Sequence, residues 1–146
     1  MAYVQGRYKP RNPQKYRGDP TDIVYRSGWE LKFMLKMDEH PDVLEWSSES
    51  VIIPYKSPAD MKTHRYFVDF YVKRRSKDGK VDTFLIEIKP LKQRKEPVNR
   101  AKKPTKKYIR EVMTYGVNQA KWKAAEDYCR RKGWKFMVMS EADLGI

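Results

Sequence analysis

Apolar residues recur along this chain in two rhythms. From Ser27 to about Glu39, Trp29, Phe33 and Met37 fall every fourth position with Met34 beside them. That is one face of an α-helix, and Pro41 stands just past its end. The rhythm then shortens to strand-like pieces: VLEW at 43–46, VIIPY at 51–55, RYFVDFYV at 65–72 and VDTFLIEIK at 81–89. SKDGK joins the last two, and its Asp78-Gly79 pair is a hairpin signal. A long helix is predicted over 106–132, with Tyr108, Val112, Tyr115, Gln119, Trp122, Ala125 and Cys129 on one face and Gly133 at its C-terminal cap. KFMVM at 135–139 reads as a last strand, and SEADLGI closes the chain as a short turn. There are no internal repeats. This order predicts one α/β domain, a mixed central sheet flanked by helices.

Two segments follow neither rhythm. Residues 1–20 hold five basic side chains, one acid, three Tyr and three Pro, an extended arm ahead of a domain at 21–146. Such an arm can lie along phosphates or pack against bases, or simply be a solvated terminus. Residues 89–107 hold nine basic side chains, one acid and three Pro, which reads as a loop or lid. The whole chain of 146 residues carries 32 Lys and Arg against 19 acids, a net charge of +13. That excess points to a polyanionic partner, nucleic acid first and an anionic membrane surface second. No apolar run approaches the ~20 residues of a membrane span, and MAYVQGRYKP lacks the apolar core of a secretion signal. A cytoplasmic setting is expected. The single Cys129 excludes an internal disulfide and a Cys-based zinc site. His40 and His64 lack metal-ligand spacing and read as surface histidines.

The chemistry centres on Glu87-Ile88-Lys89 at the end of an apolar strand. Alternation puts Glu87 and Lys89 on one face, and the hairpin allows Asp69, in the apolar YFVDFYV, to meet Glu87. Two neighbouring carboxylates resist joint ionisation. A hard divalent cation removes that conflict, and Mg²⁺ prefers such oxygen ligands. Lys89 could then orient or help deprotonate a water, or neutralise charge on a phosphate. The Glu-x-Lys spacing alone is weak, because alternating charges on a strand face commonly form surface ion pairs. The apolar frame, the hairpin and the polycationic flanks strengthen it. Glu30 has two readings: the far end of a Ser27-x-x-Glu30 capping box, or a third carboxylate beside the cation.

Helix Glu30, strand Asp69 and Glu87-Ile88-Lys89 together resemble the PD-(D/E)XK nuclease superfamily, whose restriction-endonuclease-like core runs α-β-β-β-α-β. Within it the chain is most similar to the TnsA-like endonucleases, through Lys121-Trp122 on the second helix and the closing KFMVMSEADL. RSGWELKFM, FVDFYV and LIEIKP resemble the head completion nucleases of T-even-type tailed phages, nearly end to end. The resemblance implies Asp69 and Glu87 as ligands of Mg²⁺ or Mn²⁺, with the Ile88 carbonyl and Glu30 as further ligands and Lys89 as the catalytic lysine. Gln119 and Lys121 are the nearest matches to a polar helix residue found beside the site in relatives. One departure is Val68 where the superfamily motif has proline.

The implied activity is metal-dependent endonuclease, with exonuclease activity besides, in phage head completion after DNA packaging and before head-to-tail joining. The implied partners are double-stranded DNA and portal or neck proteins. The implied setting is the host cytoplasm during assembly, and the virion. Two-strand cutting would be easier for a homodimer. Arg7, Lys9, Arg11, Lys92, Arg94, Lys102, Lys103, Lys106, Lys107 and Lys121 are the expected contacts to the DNA backbone. The competing functions are a non-catalytic DNA-binding protein of the phage head–neck region and an RNA-binding basic protein.

Overall fold

The computed structural model describes residues 5–144; the first four residues of the predicted arm and the last two of the closing segment lie outside them. Four strands form the main sheet in the order β3 (Val43–Ser48), β6 (Phe70–Arg75), β7 (Val81–Ile88), β8 (Lys135–Met139). Only the β7–β8 pair is parallel, so the sheet is mixed. Helices α1 (Gly28–Glu39) and α2 (Lys106–Lys132) cover its two faces. Phe70, Val72, Ile86 and Ile88 meet Phe33 and Met34 of α1. Tyr71 and Leu85 meet Trp122, Ala125 and Cys129 of α2. Covered on both faces, the ends of β6 and β7 read as unbroken apolar runs.

Both helices begin and end where local chemistry dictates. Ser27 Oγ accepts the Glu30 amide at 3.1 Å, and Thr105 Oγ1 accepts the Tyr108 amide at 3.1 Å. Gly133 takes φ +73° after α2, which lets Trp134 N–H return to the Cys129 carbonyl at 2.8 Å.

Four expectations are corrected. Residues 65–72 are not one strand. The chain breaks at Val68-Asp69, so β5 (Thr63–Phe67) pairs with β4 (Ile52–Lys56) in a separate ribbon, and β6 starts afresh in the main sheet. Val68 N–H bonds to Val51 O at 3.1 Å, and Asp69 O accepts Glu49 N–H at 3.0 Å, which fixes the crossing. Apolar residues on both sides of the break hide it from periodicity.

The buried stripe of α2 is Asn118, Trp122, Ala125 and Cys129, whereas Gln119 and Val112 are exposed. From Lys106 to Met113 only Tyr108 and Glu111 are even half-buried, because that half carries little of the core. The closing segment holds a short helix, α3 (Glu141–Leu144), where a turn was expected.

The arm is extended but lies on the body of the protein. Its β1 (Gly6–Arg7) pairs with β2 (Val24–Tyr25), and Tyr8 and Ile23 join the α1 core. Asp38, fully buried in the last turn of α1, accepts Tyr8 Oη at 2.5 Å, Arg11 N at 2.7 Å and Asn12 N at 3.0 Å. Lys15, at the end of a 3-10 turn, donates to the carbonyls of Met37, Asp38 and His40 at 2.8–2.9 Å. These are orphan acceptors at the helix end, where a cation is favourable.

Candidate active site

The register of β6 against β7 sets the site. Phe70 faces Ile86 in the last ladder pair, so one step further Asp69 faces Glu87. Opposed residues of an antiparallel pair share a face, with Cβ atoms about 4.5–5.5 Å apart. That face is the one Leu85 and Tyr71 present to α2. Asp69 Oδ2 accepts the Ile88 amide at 2.8 Å, and the Glu87 carboxyl is near enough to act on the Asp69 carboxyl. Glu87 Oε2 accepts the Tyr66 hydroxyl at 2.6 Å; Glu87 is 4% exposed and Tyr66 3%.

Asp69's carboxyl is pushed well above the usual carboxylate range. Burial of the group is the largest cause, then the hydrogen bond to Glu87 and its negative charge, with the Ile88 amide opposing. Beside another acid and largely screened from water, the Asp69 carboxyl holds its proton more tightly than a free one. Losing that proton leaves charge that a cation must answer. The donor set is hard carboxylate oxygen, which suits Mg²⁺ or Mn²⁺.

Glu30 stands close to this pair but is otherwise engaged. Its Oε1 accepts the Arg26 amide at 3.0 Å, one residue earlier than the amide a capping box uses. Its carboxyl is raised, by burial first, with the charges of Glu49 and Glu87 adding and the Arg26 amide opposing. Glu30 in turn contributes to the rise at Asp69. Among the described residues no three His, Cys, Asp or Glu side chains form a group that could hold a metal. The structure thus brings Asp69 and Glu87 together, with Glu30 within electrostatic reach and held by its cap.

Lys89 follows the last residue of β7 and shares the parity of Glu87. Its N–H donates to Met139 O at 2.9 Å, which extends the pairing with β8 and fixes its backbone. Its ammonium has no ion-pair partner among the described residues. Lys121 lies 5.5 Å from the centre of the Tyr66 ring and 5.8 Å from that of Tyr55. It therefore reaches the site through Tyr66, while the exposed Gln119 does not pack there. Tyr66 is the residue that sequence reasoning missed. On an unbroken strand, alternation would set it opposite to Asp69; the break at Val68-Asp69 brings both to Glu87.

Three of the expected phosphate contacts have acidic neighbours: Arg11 with Glu39 at 3.1 Å, Arg94 with Asp143 at 3.8 Å, Lys107 with Glu111 at 3.9 Å. These exposed pairs are weak and easily exchanged for phosphate. Arg11 sits at the far end of α1, nine residues or about 13 Å along the axis from Glu30. Arg7 is paired through its backbone with Val24. Lys9, Lys92, Lys102, Lys103 and Lys106 are exposed.

The sequence that builds this geometry has known relatives. The family model described as TnsA-like endonuclease N terminal matches residues 40–141. The chain belongs to the TnsA-like endonuclease family. It is 42% identical over 147 residues to the protein named Head completion nuclease of Enterobacteria phage T4, covering 99% of this chain and 95% of that one. The TnsA-like fold is restriction-endonuclease-like, and the core order here is α1-β3-β6-β7-α2-β8 with the β4–β5 ribbon inserted. Asp69, Glu87, Ile88, Lys89 and Lys121 fall inside the span matched to the TnsA-like model; Glu30 precedes it.

Proposed function

We propose that this TnsA-like protein is a Mg²⁺- or Mn²⁺-dependent DNA endonuclease of phage head completion, hydrolysing phosphodiester bonds. The observation that carries the reading is the Asp69–Glu87 pair, opposed across β6 and β7 with Glu87 buried, and a lysine two residues on that has no ion-pair partner among the described residues. Asp69 and Glu87 would hold the ion, and the Ile88 carbonyl stands in the same strand as a further donor. A bound divalent ion supplies charge neutralisation at the phosphate and a lower pKa for its water. Tyr66 commits one oxygen of Glu87 and fixes its rotamer, and Oε1 would be the oxygen offered to an ion. Lys89 orients the attacking water or meets charge developing on the phosphate. Glu30 adds negative potential from α1, and Lys121 offers a cation at the α2 edge of the site.

Likeness to the T4 protein supports a place in head completion; the host cytoplasm during assembly as its setting and portal or neck proteins as its partners belong to the same reading. Exonuclease action and a homodimer for cutting both strands belong to the same reading. Among the described residues no helix is long and apolar enough to cross a membrane. Plasmid nicking in Mg²⁺ and in EDTA tests the proposal. Nicking is expected only with the ion, and Asp69→Ala, Glu87→Ala and Lys89→Ala are each expected to abolish it while DNA retention survives. Undiminished cutting by all three variants sinks the site. A wild type that binds DNA and never nicks it leaves a non-catalytic protein of the head–neck region.

A further inference from the structure

The basic segment after β7 does not lie flat on the protein. Together with the first half of α2 it walls a groove enclosing about 970 Å³. Lys92, Lys95, Arg100, Lys107 and Arg110 line it, against the acids Glu96 and Glu111. Tyr108 and Tyr115 line the helix wall, seven residues or about 10.5 Å apart along one face. Three stacked nucleotides rise about as far, at ~3.4 Å each.

Size selects the occupant. A volume near 970 Å³ is a cube about 10 Å on a side, and a duplex, whose major groove alone is ~12 Å wide, is too broad to be enclosed by it. One strand can. Basic side chains beside spaced aromatic rings are what a single strand requires, cations for phosphates and π-faces for bases. Both walls also start at the candidate site. Lys92 comes three residues after Lys89. At the other wall the buried Asn118 lies less than one turn from Lys121, which sits over the Tyr66 ring bound to Glu87.

We infer that this groove holds a single-stranded stretch of the DNA substrate and delivers it to Asp69 and Glu87. The inference rests on the nuclease reading of that site and names the form of DNA it takes. Its test is binding measured in EDTA, where cutting plays no part, so its failure is distinct from a failure to nick. Fluorescence anisotropy compares oligothymidine of about twenty nucleotides, oligouridine, a blunt duplex and a duplex with a single-stranded tail. Tyr108→Ala/Tyr115→Ala is expected to lose tenfold or more for oligothymidine and the tailed duplex, and less than twofold for the blunt duplex. Tyr108→Phe/Tyr115→Phe, which keeps the rings, is expected to bind as wild type. Lys107→Glu/Arg110→Glu, at exposed positions, removes cations that any DNA phosphate can meet, so it is expected to weaken every DNA ligand, oligothymidine and the tailed duplex more than the blunt duplex. Equal losses on the blunt duplex, unchanged oligothymidine binding in the Ala and Glu variants, or a marked preference for oligouridine would overturn the assignment.

Discussion

Asp38→Asn is a nearly isosteric change with a large expected cost. Oδ2 of Asp38 accepts both the Tyr8 hydroxyl and the Arg11 amide, and Oδ1 accepts the Asn12 amide. An asparagine can keep one oxygen toward Asn12, but its nitrogen then faces two donors. The tyrosine hydroxyl can rotate to accept; the Arg11 N–H cannot. Each hydrogen bond to a charged acceptor contributes about 1.5–3 kcal/mol, and the Arg11 and Asn12 amides are only partly enclosed, so water recovers some of the loss. The expected destabilisation is about 2–3 kcal/mol for Asp38→Asn and about 3–5 kcal/mol for Asp38→Ala, where three donors go unmet. For a domain of this size that lowers Tm by roughly 2–4 °C per kcal/mol.

The assay is equilibrium urea unfolding, with limited proteolysis between Tyr8 and Lys15 as a local readout. The hydrogen bonds from Tyr8, Arg11 and Asn12 hold Asp38 below the usual carboxylate range against the burial that raises it. A group depressed in the folded state stabilises above its unfolded pKa, near ~3.9, and loses that contribution as pH falls through the folded value. The gap between wild type and variant must therefore close on acidification below about pH 4. A gap under about 0.5 kcal/mol at neutral pH, the range of ordinary surface substitutions, would refute the latch.

Asp69 predicts the opposite linkage. Its carboxyl is raised, so its contribution is present below the unfolded pKa and lost as pH rises through the folded value. In EDTA, Asp69→Asn should be the more stable protein at pH 8, and wild type should gain more Tm from Mg²⁺ at pH 8 than at pH 5.5. A wild-type gain independent of pH contradicts the raised Asp69 carboxyl. Tyr66→Phe removes the donor on Glu87 Oε2. The Mg²⁺ concentration for half-maximal nicking should rise about 10-fold or more, with the rate recovering at saturating ion. An unchanged midpoint denies Tyr66 its positioning role. Glu30→Gln keeps an oxygen for the Arg26 amide, so stability should stay within about 0.5 kcal/mol while nicking falls at least tenfold. Full activity would reduce Glu30 to a helix cap.

Both main helices, the 78–79 hairpin and the central place of the acid-bearing strands were legible because each rests on local signals. Ser27, Asp78-Gly79 and Gly133 act within a few residues, and the covered sheet makes β6 and β7 apolar on both faces. The pairing of Asp69 with Glu87 followed from hairpin register alone. The break at Val68-Asp69 was not legible, since it depends on the Val51 carbonyl accepting from Val68 and the Glu49 amide donating to Asp69, contacts that only the folded chain supplies. Tyr66 was lost with it. Glu30 was open between two roles, and the fold ties it to the Arg26 amide, one residue before the expected cap, while leaving it within electrostatic reach of the pair. The arm misled because Tyr8 and Lys15 look like solvated arm residues until Asp38 and the end of α1 are placed beside them.

A crystal of the protein soaked in Mn²⁺ and measured at the manganese absorption edge tests the ion site most directly. The account predicts one anomalous peak bridging the carboxylates of Asp69 and Glu87, at about 2.0–2.6 Å from each, and its disappearance in Asp69→Ala. A peak elsewhere, or none at concentrations of Mn²⁺ that support nicking, would contradict it.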